Sequence, residues 1–314
     1  MKISVDGGGL GSKKGERFGN YIFSQNLIKA LLKYDKKNQY FIYTFSKLKP
    51  RFAWSKIRLS VEEFRKKKDT FLALNQARPL YVSGKVISFC HGLSYYFFPK
   101  YYSLKDNLRL RRQLDEMILK SNIIVVSSIK VKKELESITV KYSKKTKIII
   151  ILFGIPFDMN RFTLHVTRYT PKKYFLYVGM DHPIKNISFI KERFSEFKKF
   201  SEFKNFKLKI ITKNCSRKDL KKLYQNAAAL LTASYYESFN LPVLEALSQG
   251  CPVIGLESAV IPELHQYVNL AKNEKEFLEL MKTIPKKPDT QLIKQLNKEF
   301  NWKNYVEKLV KLYL

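Results

Sequence analysis

The stretch that most limits what this chain can fold into is residues 227–257, A-A-A-L-L-T-A-S-Y-Y-E-S-F-N-L-P-V-L-E-A-L-S-Q-G-C-P-V-I-G-L-E. The apolar run 228–233 predicts a buried strand, 234–240 a loop, and 251–256 a second strand. Between them Asn240 is placed to cap a helix that carries Pro242 in its first turn and stops at Gly250. A strand, helix and strand this close together form a parallel βαβ crossover, whose ligands sit in the loop at the carboxyl end of the first strand. Free N–H groups at the helix start attract phosphate or hydroxyl oxygens. Glu237 in the loop and Glu245 in the first half of the helix are expected to face one crevice, and carboxylates accept paired hydrogen bonds from vicinal hydroxyls. A plainer role also fits both: Glu237 offsetting a helix dipole, Glu245 solvated and paired with lysine.

The segment 237–254 resembles the E-x7-E signature of retaining GT-B glycosyltransferases of the family-four type, the glycosyl transferases group 1. It matches in spacing and in Phe239, Leu241, Pro242, Glu245, Ala246, Gly250, Pro252 and Val253 together. The resemblance implies that the first glutamate, Glu237, contacts donor-sugar hydroxyls and the second, Glu245, the nucleotide ribose. Ser238, Phe239, Asn240 and Leu241 are expected beside the donor.

At 314 residues and 45% hydrophobic content the chain accommodates one large or two modest domains. No apolar run approaches the ~20 residues that span a bilayer. The start lacks a leader's apolar core, so neither secretion nor spanning is expected. Cys90, Cys215 and Cys251 form no C-x-x-C pair, and the histidines at 91, 165, 182 and 265 have no metal spacing. A reducing cytoplasm, no metal and no cofactor are expected. The 59 basic against 27 acidic residues leave +32, which draws anionic partners: nucleotide sugars, acidic headgroups or nucleic acid. An equal alternative is lysine spread over solvated faces. Nucleic acid is disfavoured because Lys66, Lys67 and Lys68, expected to be solvated, lack interleaved aromatics.

The first strand runs into D-G-G-G-L-G, where Gly7, Gly8, Gly9, Gly11 and Gly19 allow close backbone approach to a ligand before a helix. The dinucleotide G-x-G-x-x-G register fails at Lys14, which argues against a nicotinamide dehydrogenase. The resemblance sets Gly9 and Gly11 beside the acceptor and donor phosphates. A strand over 40–45 precedes a poorly patterned basic region, 47–68, that holds Trp54. K-V-I-S-F-C-H-G-L reads as a strand ending at His91, like the family's H-G-L segment, whose histidine approaches the donor sugar; a structural histidine fits His91 equally. Residues 104–120 predict a basic amphipathic helix, followed by strand I-I-V-V-S-S and another helix.

Y-F-L-Y-V-G-M-D-H-P-I-K-N resembles the loop that holds the donor diphosphate, with Lys185 as its lysine. Met180 and Ile184 stand where the family carries arginine, leaving Arg17 or Lys213 to reach in. After the strand K-L-K-I-I-T the chain passes almost at once to S-R-K-D-L-K-K-L-Y, where the family inserts a further helix and strand; the second domain is therefore expected to be shortened. F-N-W-K-N-Y resembles the terminal helix that returns to the first domain.

The expectation is an α/β chain of two Rossmann-like domains facing a cleft: an acceptor-side domain over 1–162, a nucleotide-sugar domain over 163–301 with its linker near 163–173, and a returning helix over 302–314. The implied activity is retaining, metal-independent transfer from a nucleotide-diphosphate sugar to a glycan or lipid-linked acceptor. Glu237, His91 and Lys185 form the catalytic set, and Glu245, Gly9, Gly11, Ser238, Phe239, Asn240 and Leu241 the donor-binding set. The alternative is a protein of the same fold that binds a nucleotide or glycan without transfer. Tyr95, Tyr96, Phe97, Phe98, Tyr101 and Tyr102, beside Lys100 and before Arg109, Arg111 and Arg112, suit an anionic inner-leaflet surface or, equally, the core of the first domain.

Overall fold

Short runs of valine, isoleucine, leucine and phenylalanine, buried on both faces, become parallel strands, and amphipathic segments between them become the covering helices. The computed structural model describes residues 1–11, 19–44, 54–75, 78–143, 145–159, 173–213 and 215–314. In chain order these residues form β1 (Lys2–Asp6), α1 (Gly19–Tyr34), β2 (Gln39–Tyr43), α2 (Leu59–Arg65), β3 (Thr70–Ala73), β4 (Lys85–Cys90), α3 (Ser94–Phe97), α4 (Leu104–Lys120), β5 (Ile123–Val126), α5 (Ile129–Thr139) and β6 (Lys147–Ile150). There follow β7 (Tyr174–Val178), α6 (Ile187–Phe197), β8 (Lys207–Ile211), α7 (Arg217–Asn226), β9 (Ala229–Thr232), α8 (Leu241–Ser248), β10 (Val253–Leu256), β11 (Asn269–Ala271), α9 (Glu274–Thr283), α10 (Thr290–Glu299) and α11 (Trp302–Val310). Among the described residues no helix is long and apolar enough to cross a membrane.

Two units result, one of Met1–Phe153 with Trp302–Leu314 and one of Gly154–Asn301. The expected division at 162/163 and all but the last residue of its linker near 163–173 lie outside the described residues. The first unit holds a six-stranded sheet, β2-β1-β3-β4-β5-β6, and the second a five-stranded sheet, β11-β10-β9-β7-β8. Every strand pair is parallel. The α/β class and the Rossmann-like build of both units are as expected. Strand order reverses between β1 and β3 in the first sheet and between β7 and β9 in the second, and at such a reversal the loops part to leave a crevice.

In the first unit the Phe23 ring of α1 meets Phe153 at 4.5 Å, Phe89 at 5.8 Å, Trp302 at 6.1 Å and Tyr305 at 6.2 Å. The terminal helix is thereby part of this core. At its end Tyr313 meets the Tyr40 hydroxyl, which donates to Asp35. In the second unit Phe175 of β7 clusters with Phe197, Phe203 and Phe206; Phe197 stacks on Phe203 with centroids 4.2 Å apart and meets Phe175 and Phe206 edge-on.

Two readings of the first unit need correction, and a third is resolved toward the core alternative. The region over 47–68 contains a helix, α2, and the central strand β3 follows it directly; four residues with both faces buried carry too little periodicity to be read. Lys68 is buried, not solvated: its ammonium reaches the Tyr43 hydroxyl and the Lys66 carbonyl, beside the buried Glu63, while Lys66 and Lys67 are exposed. Of the six aromatics over 95–102 only Phe97 is exposed; Tyr95, Tyr96 and Tyr102 pack into the core under α4.

Gly84, leading into β4, leaves no room for a side chain, because a Cβ there would sit 2.3 Å from the Asp69 carbonyl oxygen and 2.4 Å from that of Lys68. Gly84→Ala is expected to cost about 2 to 3 kcal/mol, measured as a lower denaturant midpoint. Gly19→Ala, with no atom of the described residues within 4 Å of the added carbon, should leave the midpoint unchanged or raise it.

Candidate active site

The crevice of the second unit opens where β7 and β9 part. It is lined by Tyr177, Val178 and Gly179 at the end of β7, Thr232 at the end of β9, and Lys185, Ser234, Glu237 and Asn240 from the loops that follow. Two left-handed residues shape those loops. Asn186 at φ 50° ends the turn Pro183–Lys185, and Asn240 at φ 62° starts α8. Asparagine tolerates this conformation better than other residues with a Cβ. The Tyr235 amide donates to the Ile184 carbonyl at 2.9 Å and ties the two loops together.

Glu237 Oε1 accepts 2.7 Å bonds from the Lys185 ammonium and from the Ser234 hydroxyl, with the Lys185 and Glu237 side chains 17% and 14% exposed. Burial first, then the charge of Glu237, raises the Tyr177 phenol well above its ordinary pKa. Asn240 does not cap α8 with its side chain, contrary to the sequence reading. Its amide instead bridges to the Ala259 carbonyl and the Ile261 N–H, both at 2.9 Å, holding the chain beyond β10. Gly250, at φ 69°, ends the helix as expected.

The expectation that both glutamates face one crevice is not met. Glu245 is 3% exposed and takes no part in the lining; its Oε1 accepts from Arg217 at 2.8 Å and its Oε2 from the Tyr224 hydroxyl at 3.2 Å. Arg217, the first residue of α7, also grips Asp158 with two bonds of 2.8 and 2.9 Å. Burial pushes the Glu245 carboxyl up, and Arg217 opposes that rise. Burial works against the Arg217 charge too, but Asp158 and Glu245 overcome it and hold the guanidinium above its ordinary range. The sequence offered no direct sign of this cluster beyond an arginine following the capping Ser216. Phe239 is buried and packs edge-on against Phe300 at 6.1 Å, a core role in place of the expected donor contact. Ser238 and Leu241 are half-buried and do not line the crevice. Met180, at one expected arginine position, is exposed, and Ile184, at the other, is buried. Arg17 lies outside the described residues.

In the first unit the β1/β3 reversal carries a carboxylate that the sequence reading passed over. Asp6 is fully buried and accepts from the Gly8 amide at 2.9 Å, the Trp54 indole at 3.4 Å and the Asn75 amide at 3.0 Å. It holds the turn Gly8–Gly11, which includes Gly9 and Gly11. A Cβ on Gly7 would meet the Tyr43 carbonyl at 2.8 Å. His91 follows β4 as expected, and its Nε2 lies 2.6 Å from the Leu74 carbonyl. A carbonyl can only accept, so the ring is the Nε2–H tautomer. Burial lowers its pKa and keeps it neutral, and Phe23 meets it edge-on at 4.7 Å. Among the described residues no group of three or more His, Cys, Asp or Glu could hold a metal ion.

Arg217→Gln leaves Glu245 buried without its counter-charge and is expected to destabilise the protein by about 3 kcal/mol. A carboxyl whose folded pKa is raised is tolerated while protonated and penalised as pH rises, so the loss should be smaller near pH 5 than near pH 8. Adding Glu245→Gln should recover part of it. Denaturant titrations of the single and double variants at both pH values measure this, and an equal loss at both would contradict the assignment.

Residues 209–269, which include Arg217, Glu237 and Glu245 but not Lys185, match the family model for glycosyl transferases group 1. Among curated proteins none matches the chain in sequence. Solved structures share its fold at low identity. AviGT4, a glycosyltransferase involved in avilamycin A biosynthesis, is 14% identical with a TM-score of 0.63, over 100% of this chain and 97% of that one. Sucrose-phosphate synthase from Thermosynechococcus elongatus is 12% identical with a TM-score of 0.67, over 100% and 98%. The pneumococcal O-GlcNAc transferase GtfA, solved with UDP and GlcNAc, is 15% identical with a TM-score of 0.57; the match covers 82% of this chain and 59% of GtfA. The resemblance to glycosyl transferases group 1 is thus met by the family model over 209–269, and the expected fold by the likeness to these GT-B structures.

Proposed function

We propose that this chain is a retaining, metal-independent glycosyltransferase that moves a sugar from a nucleotide-diphosphate donor to a glycan or lipid-linked acceptor. The observation that carries this reading is the Lys185–Glu237 contact of 2.7 Å at the strand-order reversal of the second unit, inside a crevice that the group 1 segment helps to line. One fold relative, the pneumococcal O-GlcNAc transferase GtfA, holds UDP, which makes a uridine diphosphate sugar the first donor to try.

In this reading the donor diphosphate draws the Lys185 ammonium away from Glu237 and shares it as charge grows on the leaving group. Glu237, still held by the Ser234 hydroxyl, then accepts hydrogen bonds from sugar hydroxyls and fixes the ring for attack. The acceptor hydroxyl attacks the anomeric carbon from the leaving-group side, the bond to the diphosphate oxygen breaks, and the acceptor's proton passes to that oxygen. This order needs no protein nucleophile. Lysine supplies the positive charge at the leaving group, so a divalent cation is not required. Glu245 takes the ribose by exchanging the Arg217 bond for ribose hydroxyls. His91, neutral and fixed through Nε2, has its other ring nitrogen as an acceptor for a sugar hydroxyl.

A second reading, nucleotide or glycan binding without transfer, is favoured by Met180 and Ile184 at positions where the family places arginine. A panel of nucleotide sugars, followed by calorimetry and by NMR of released and transferred sugar, separates the two. Transfer with retained anomeric configuration, undiminished by EDTA, is expected. Lys185→Ala and Glu237→Gln should each lower kcat/KM by about 10² or more, with the fold unchanged by circular dichroism. Tight nucleotide binding with neither transfer nor donor hydrolysis would establish the second reading.

A further inference from the structure

Helix α4 turns an unusual face to solvent. Its inner face, Leu114, Met117 and Ile118, is buried in the first unit's core and suffices to hold the helix. On the outer face Leu104 is 85% exposed, Leu108 69% and Leu119 48%. Interleaved with these leucines are the exposed Lys105, Arg109, Arg112 and Lys120, and Phe97 and Lys100 stand exposed just before the helix. The acids of α4 are already engaged. Asp106 accepts from Ser103 and Arg109, Asp115 from the Tyr142 hydroxyl, and Glu116 pairs with Lys56. Arg111 is turned onto the Tyr96 ring and the Asn107 amide, away from this set.

Leucines left in water at one-turn spacing do nothing for folding, and cations beside them suit one environment above others: the boundary between anionic headgroups and acyl chains. We propose that the outer face of α4, with Leu104, Leu108, Arg109 and Arg112 at its centre, docks the protein on an anionic lipid surface. The sequence pointed to aromatics as the apolar part of such a contact. The structure buries Tyr95, half-buries all the others but Phe97, and puts leucines in their place. A second copy of the chain fits the face poorly, since +32 on each copy and a cationic patch against its own image repel. This docking does not depend on sugar transfer and needs no donor, so either inference can fail alone.

Co-sedimentation of the full chain with vesicles tests it, using phosphatidylcholine alone and phosphatidylcholine with about 30% phosphatidylglycerol. Binding is expected only to the anionic vesicles and should weaken as salt rises from ~0.05 to ~0.5 M. Each basic side chain near such a leaflet raises affinity roughly fivefold, so Arg109→Gln with Arg112→Gln should lower it roughly 20-fold. Leu104→Gln with Leu108→Gln should lower it tenfold or more. The exposed faces of these residues leave melting temperature and circular dichroism unchanged. Phe64→Ser, an exposed aromatic on α2, is the control and should bind as the parent does. Four results overturn the proposal: equal binding to neutral vesicles, no binding to either, leucine variants that bind normally, or a control that fails as badly as they do. So does light-scattering mass that grows with concentration and is abolished by Leu104→Gln, which would assign the face to a second copy.

Discussion

A carboxylate held at the carboxyl edge of a parallel sheet loses water, and the groups that replace that water decide what it can do. Three carboxylates here meet that demand in three ways. Asp6 is surrounded by neutral N–H donors from Gly8, Trp54 and Asn75, a fixed arrangement that shapes a loop. Glu245 is compensated by a guanidinium that is itself anchored on Asp158, and by the Tyr224 phenol, so that several elements of the second unit are tied at one point. Glu237 has the loosest arrangement. Its partners are a lysine on a flexible stem and a serine hydroxyl, both on the same oxygen, at the wall of an open crevice. Lysine is a compact charge without the rigid fork of arginine, and it changes partner at lower cost. Of the three, Glu237 alone lines the crevice, and its counter-ion is the easiest to exchange.

The parts of the fold legible in the sequence are those fixed by local chemistry. Gly250 could stop α8 only because a left-handed residue is needed there, and residues 104–120 are helical because their apolar spacing admits nothing else. The parts that escaped depend on partners distant in sequence. Asn240 looks like a cap by its position, but residues 259–261 outcompete the helix amides for its side chain. Glu245 looks paired with Glu237 by spacing, but the left-handed bend at Asn240 sets the helix so that its carboxylate meets α7. Phe239 shares a motif with site residues and yet belongs to the core, through Phe300. Asp6 and Lys68 carry no periodic signal at all, because a single buried charge is a property of its surroundings.

The surplus of positive charge divides along the same line. Lys68, Lys185 and Arg217 are each drawn inward to specific oxygens. The exposed cations of α4, Arg109 with its Asp106 partner included, stay at the surface and act as a field there. One number for net charge therefore covers two kinds of residue, those that build the structure and those that face what lies outside it.

The path of the chain sets the order in which it can mature. The second unit, Gly154–Asn301, is inserted into the first, which opens the sequence and is completed only by α11 and Tyr313. Its outgoing and returning segments are joined by a bond from the Ile155 amide to the Phe300 carbonyl. On the ribosome, all six strands of the first sheet emerge early, but Phe23 and Phe153 wait with an uncovered aromatic face until Trp302 and Tyr305 arrive. The inserted unit can close first, as a contiguous stretch, and its closure brings the ends of the first unit together. Helix α11, made after the inserted unit, is thus the one that finishes the unit begun before it.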